Sequence, residues 1–100
     1  MNQDWMNMDD DTIIKELTSI KGVGKWTVQM ILMFRLGRLD IFPVDDLGIR
    51  QGMIGFYGLE GKVGKQLIKE MHRIADKWRP YRSVASRYIW EWKDGRKNNF

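Results

Sequence analysis

Two short stretches hold the residues whose types and spacing could do chemistry. The first, "GVGKWT" at residues 22–27, lies between the apolar runs "LTSI" and "VQMILMF", so a glycine turn joins two helix-like segments. Glycines there permit backbone angles denied to other residues. The helix after the turn starts with N–H groups that have no intrahelical acceptor and point outward. Such an end is a ready site for an anion such as a phosphate group. The second stretch, "PVDDLGI" at residues 43–49, puts Asp45 and Asp46 at the start of another helix. A helix start favours the ionised form of a carboxylate, and an ionised carboxylate can stabilise a developing positive charge or orient a water molecule. Each stretch also has a plain alternative. The turn can simply connect two helices, and aspartates at a helix start usually cap it.

The elements that must position these residues are helices. "DDDTIIKEL" offers an aspartate cap, acids in the first turn and apolar Ile13, Ile14 and Leu17, which predicts a helix over about 10–18. "KWTVQMILMFRL" is apolar nearly all round and predicts a central buried helix over about 25–36. Pro43 cannot continue it. A third helix starts at the two aspartates and is weakened by Gly48 and Gly52, with "GFYGLEG" (55–61) read as a loop. The fourth has Val63, Leu67, Met71, Ile74 and Trp78 near helical spacing. The last follows Pro80 over 81–92, with Tyr81, Val84, Ala85, Tyr88 and Trp92 on one apolar face and Trp90 nearly opposite. The tail "KDGRKNNF" (93–100) reads as frayed. With no convincing strand, repeat or long linker, the expectation is an all-α fold: one small domain over 1–100, with the hairpin at about 17–36.

Composition bounds the rest. One hundred residues, 43% of them apolar and 30% charged, suit a single soluble domain with a core. A net charge of +4 suits an anionic partner without specifying one. The absence of cysteine excludes disulfides, thiolate metal sites and iron–sulfur clusters. No apolar stretch approaches the ~20 residues of a membrane span, and "MNQDWMNMDDD" is no signal peptide. The expected location is therefore intracellular. His72 has no second metal ligand near it and reads as a surface histidine. Arg82 and Ser83 could touch a phosphate or cap a helix.

"LTSIKGVGKWTVQMIL", then "DIFPVDDLGIRQG", then "KWRPYRSVASRYIW", in this order and spacing, resembles the second half of the helix–hairpin–helix DNA glycosylases. Among them the chain is most similar to the 3-methyladenine DNA glycosylase II branch, which repairs alkylated bases. The resemblance covers roughly residues 12–93. It implies double-stranded DNA with alkylated bases as partner, and hydrolysis of the N-glycosidic bond of alkylated purines. It places the catalytic carboxylate three positions before Ile49, at Asp46, with Asp45 structural. It implies a backbone grip by Gly22, Val23, Gly24, Lys25 and Thr27, and a base pocket of Trp26, Met30 and Trp90. In relatives, hairpin main-chain carbonyls hold a monovalent cation; the matching positions are Thr18, Ile20 and Val23, for Na⁺ or K⁺. No cofactor is required for the chemistry.

Two departures from the family pattern matter. Relatives that also nick the strand place a lysine two residues after the second glycine, for Schiff-base chemistry. Here that position is Trp26, and Lys25 is rotated by about 100° around the helix. The resemblance therefore implies a monofunctional enzyme. Relatives also carry a further helical segment before the hairpin, where this chain has only about twenty residues. Alone, the chain is expected to leave apolar surface uncovered along Trp26–Met33, to dimerise or be poorly stable, and to excise slowly until an N-terminal segment or partner is added. The alternative is a non-catalytic helix–hairpin–helix module that holds DNA backbone for a partner.

Overall fold

The computed structural model describes residues 7–98, with side chains for 7–95. Five helices follow one another: α1 (Asp10–Thr18), α2 (Lys25–Phe34), α3 (Leu47–Tyr57), α4 (Gly64–Asp76) and α5 (Arg82–Asn98). There is no strand among the described residues. Asp9 caps α1, its carboxylate accepting from the Thr12 N–H at 2.7 Å, and Asp10 and Asp11 add negative charge to the first turn. Asp46 caps α3 in the same manner.

Two boundaries differ from the sequence expectation. "GFY" is not loop: α3 continues through Gly55, Phe56 and Tyr57 and stops at Gly58, whose φ of 66° is left-handed. The stop signal is therefore one glycine later than the cluster of turn residues suggested. The segment 93–98 is not frayed either, since α5 runs to Asn98; residues 99 and 100 lie outside the described residues.

The core is in two parts. Ile13, Val28, Leu32, Met33 and Ile41 join α1 to α2. Phe42, Val44, Ile49, Met53, Leu59, Met71, Ile74, Ala75 and Ile89 join α3, α4 and α5. Trp90 packs against both. The apolar face assigned to the last helix is corrected: Tyr81, Val84 and Tyr88 are exposed, while Ser83, Ser86 and Ile89 are buried. The reason is the narrow seam between α3 and α5. A Cβ at Gly52 would lie 2.6 Å from Ile89 Cγ2, so α5 approaches α3 more closely than aromatic side chains would allow.

Loop anchors complete the frame. The Asp40 carboxylate accepts from the Arg82 backbone N–H at 3.2 Å and from Arg82 Nε at 2.8 Å, and pairs with Arg79 at 3.1 Å. Ser83 Oγ donates to the Arg38 carbonyl at 2.7 Å and accepts the Ile41 N–H at 2.9 Å. Both residues suggested as phosphate contacts are thus spent on holding α5 to the segment after α2. His72 is half-buried rather than at the surface, with its ring edge against Phe42 at 5.4 Å. Burial, followed by the nearby Lys25 charge, pushes its pKa down.

Candidate active site

The hairpin is bare on its outer side. Gly22 has φ of 87°, a conformation that disfavours every side chain. Gly24 does not: at φ −90° and ψ 161° it is ordinary extended backbone. A Cβ at either position would meet nothing within 4 Å. Gly24 therefore has neither a conformational nor an internal packing reason to be glycine, which corrects the expectation that both turn glycines are needed for their angles. Gly24 provides no side-chain cap. The first helical bond runs from the Val28 N–H to the Gly24 carbonyl at 3.2 Å, so the N–H groups of Lys25, Trp26 and Thr27 are left without an intrahelical acceptor.

Three elements converge on Asp46. Trp26, at the start of α2, donates its indole Nε1–H to Asp46 Oδ1 at 2.7 Å. Trp90, from α5, donates its own to Oδ2 at 2.9 Å. The Ile49 backbone N–H donates to Oδ2 at 3.0 Å, closing the cap of α3. Burial alone would raise the Asp46 pKa; the N–H groups of Trp26, Trp90, Ile49 and Gly48 outweigh it and hold the carboxyl below its ordinary value of 3.8. The donors thus favour the ionised form more than burial disfavours it, with one side-chain donor on Oδ1 and Trp90 and Ile49 both on Oδ2. A carboxylate oxygen accepts more than one hydrogen bond, so Oδ1 retains capacity for a further donor.

Trp26 is 46% exposed and offers an open indole face. Met30, one turn further along α2, is half-buried against the α1–α2 cluster. Trp90 is half-buried and stacks on Phe34 at 6.0 Å, with the Arg87 guanidinium 5.0 Å above the Phe34 ring. Asp45 takes a different course. It is exposed and pairs with Arg50 at 3.1 Å, and Arg50 Nε donates to the Val44 carbonyl at 2.6 Å. Lys25 lines a separate polar cleft of about 210 Å³, with Gln29, Asp40, Phe42 and His72 among its walls and neither Asp46 nor the two tryptophans.

The structure therefore brings together Asp46, Trp26 and Trp90, sets Met30 one turn from them, and leaves Asp45 and Lys25 outside. Of the hairpin carbonyls, Ile20 already accepts the Val23 N–H at 3.1 Å. Among the described residues no three His, Cys, Asp or Glu side chains gather to hold a metal ion. Sequence reasoning missed Gly48, Phe34 and Arg87. Gly48 had one available signal, a glycine set two residues after the carboxylate in a helix it weakens.

A hairpin with an uncapped second helix, packed beside a carboxylate clamped by two indoles, defines a helix–hairpin–helix domain with a built anionic centre. No family model matches the chain. Comparison with curated proteins and solved structures is specific. DNA-3-methyladenine glycosylase 1 of Schizosaccharomyces pombe is 37% identical over 84 residues, which is 84% of this chain and 36% of the relative. The crystal structure of a DNA-3-methyladenine glycosidase from Bacillus halodurans superposes with a TM-score of 0.79 at 36% identity, covering 95% of this chain and 42% of that one. The S. pombe 3-methyladenine DNA glycosylase Mag1, solved in complex with abasic DNA, gives 0.74 at 35% identity, covering 86% and 40%. Over the stretch it shares with them, the chain is homologous to DNA-3-methyladenine glycosylases. It spans 28–38% of the length of three curated relatives that it matches.

Proposed function

We propose that this chain supplies the catalytic half of a monofunctional DNA glycosylase, one that hydrolyses the N-glycosidic bond of alkylated purines such as 3-methyladenine in duplex DNA. The observation that supports this best is the Asp46 carboxylate, held ionised by two indole N–H groups that arrive from α2 and α5. A carboxylate that only capped α3 would need the Ile49 bond alone.

In this reading the C1′–N bond breaks with its electron pair leaving on the base, and positive charge develops on the sugar. Asp46 stabilises that charge and orients the water that adds to C1′, the water's proton passing to the carboxylate or to solvent. Trp26, with Met30 and Trp90 beside it, receives the extruded base, since an electron-poor alkylated ring stacks well on an indole face. The bare backbone at Gly22, Val23 and Gly24, with the N–H groups of Lys25 and Thr27, holds a backbone phosphate. A Na⁺ or K⁺ ion would sit on the carbonyls of Thr18, Ile20 and Val23, with Ile20 offering its second lone pair. Lys25 faces another cleft, which supports water rather than an amine as nucleophile. Exposed Trp26, Ile31 and Phe34 on α2 support completion of the pocket by a second wall, either further chain or a second copy.

The test is release of free 3-methyladenine or 7-methylguanine from methylated duplex, with Asp46→Asn as control, by this chain and by a version carrying the N-terminal segment of a full-length relative. Base release that depends on Asp46 is expected, and it should be faster in the extended version. DNA binding without release in either would favour the non-catalytic module.

A further inference from the structure

The two-indole clamp has a requirement that lies on α3 itself. Gly48 is two residues after Asp46, in the first turn of α3. It does not need glycine for its backbone angle, since its φ is not among the positive ones, and any other ordinary residue would favour the helix more. Its need is space. A Cβ there would lie 3.0 Å from Asp46 Oδ2, 3.1 Å from Trp90 Nε1 and 3.2 Å from Trp90 Cδ1, all closer than ordinary van der Waals contact. Those are its three nearest atoms: the acceptor and the donor of the hydrogen bond between Trp90 and Asp46, and the ring carbon bonded to that donor. The contrast with Gly52, one turn on, is informative. There a Cβ would meet Ile89 and Lys93, so Gly52 serves the seam between helices.

We infer that Gly48 is a positioning residue for base excision: the missing side chain is what allows Trp90 to lay its indole N–H on Asp46. The inference rests on the proposed glycosylase reading for its consequence, though not for its geometry. A methyl group at 48 turns the indole away, leaves Oδ2 with its backbone donors only, and lets the carboxylate swing within its cap. The helix itself gains, because alanine is the better helix former.

The experiment compares wild type, Gly48→Ala, Trp90→Phe and the double variant, in this chain and in the version carrying the N-terminal segment of a full-length relative. Three quantities are read: the Trp90 indole N–H resonance by ¹⁵N NMR, single-turnover release of 3-methyladenine, and affinity for uncleaved duplex. Gly48→Ala is expected to move the Trp90 resonance towards that of a free indole and to slow release about tenfold, the order expected for one hydrogen bond to a charged group. DNA affinity should stay within about twofold, a separation that loss of fold would not produce. In the Trp90→Phe background the donor is already gone and only the contact with Asp46 Oδ2 remains, so Gly48→Ala should cost clearly less than it does in wild type, the non-additivity of a shared contact. An unmoved Trp90 resonance, or equal losses in both backgrounds, overturns the role of Gly48. Absence of release from wild type with the resonance still displaced in Gly48→Ala would sink the proposed reaction and keep the placement.

Discussion

The hairpin and the α3–α5 seam are both built on bare backbone, yet they use it in opposite directions. At Gly22 and Gly24 a side chain would meet nothing from this chain, and the N–H groups beyond them lack intrahelical acceptors. At Gly52 a Cβ would collide with Ile89 at 2.6 Å, and at Gly48 it would crowd Asp46 and Trp90 at 3.0–3.2 Å. Glycine in the seam lets two helices close until three elements share one carboxylate. Glycine in the hairpin, at Gly24 above all, leaves room for something that is not part of the chain. In the proposed reading, grip and chemistry therefore fall on different residues and should be separable by mutation.

The largest effect is expected at the carboxylate. Asp46→Asn should retain affinity for duplex DNA yet slow base release by about three orders of magnitude, as removal of electrostatic stabilisation of this kind does; a matching fall in affinity would merge the two regions. Gly52→Ala comes next and acts on the fold: overpacking the seam should lower unfolding stability by about 1–3 kcal/mol, read by chemical denaturation. Gly24→Val should leave that stability nearly unchanged, since φ −90° suits valine and the space is open. It should weaken DNA binding about tenfold by covering the N–H groups, and flatten the dependence on salt. Loss of stability instead would show an internal role for Gly24. The smallest change belongs to Asp45→Asn, which breaks an exposed pair with Arg50; surface pairs of this type contribute at most about 1 kcal/mol, and release should stay within a few-fold.

Much of the fold was legible because local signals were strong. Asp9 and the acids after it mark α1, and the glycine turn marks the hairpin. The buried face of α5 was not legible. Tyr81, Val84 and Tyr88 form the more apolar stripe but remain outside, because the seam is shaped by Gly52, a residue thirty-seven positions from Ile89 whose contact no periodicity reveals. The site divides the same way. Residue types alone left Asp45 and Asp46 equivalent, both acids at a helix start, and the family pattern singled out Asp46. What separates them physically is tertiary: indoles 20 and 44 residues away reach one carboxylate and not the other. For Trp90 the stripe argument fails, because the stripe it stands off is exposed; the side chain is half-buried against both parts of the core.

N–H donors from Trp26, Trp90, Ile49 and Gly48 hold the Asp46 carboxyl below its ordinary range against the effect of burial. Because the folded pKa is depressed, the stability this group contributes is present above 3.8 and is lost as pH falls through the folded value. A ¹³C NMR titration of the Asp46 carboxyl measures this without any need for turnover. The carboxyl should titrate below 3.8 in wild type, and its pKa should rise in Trp26→Phe and again in Trp26→Phe/Trp90→Phe as each donor is removed. Titration at or above 3.8 in wild type, or a value indifferent to both indoles, would contradict the account.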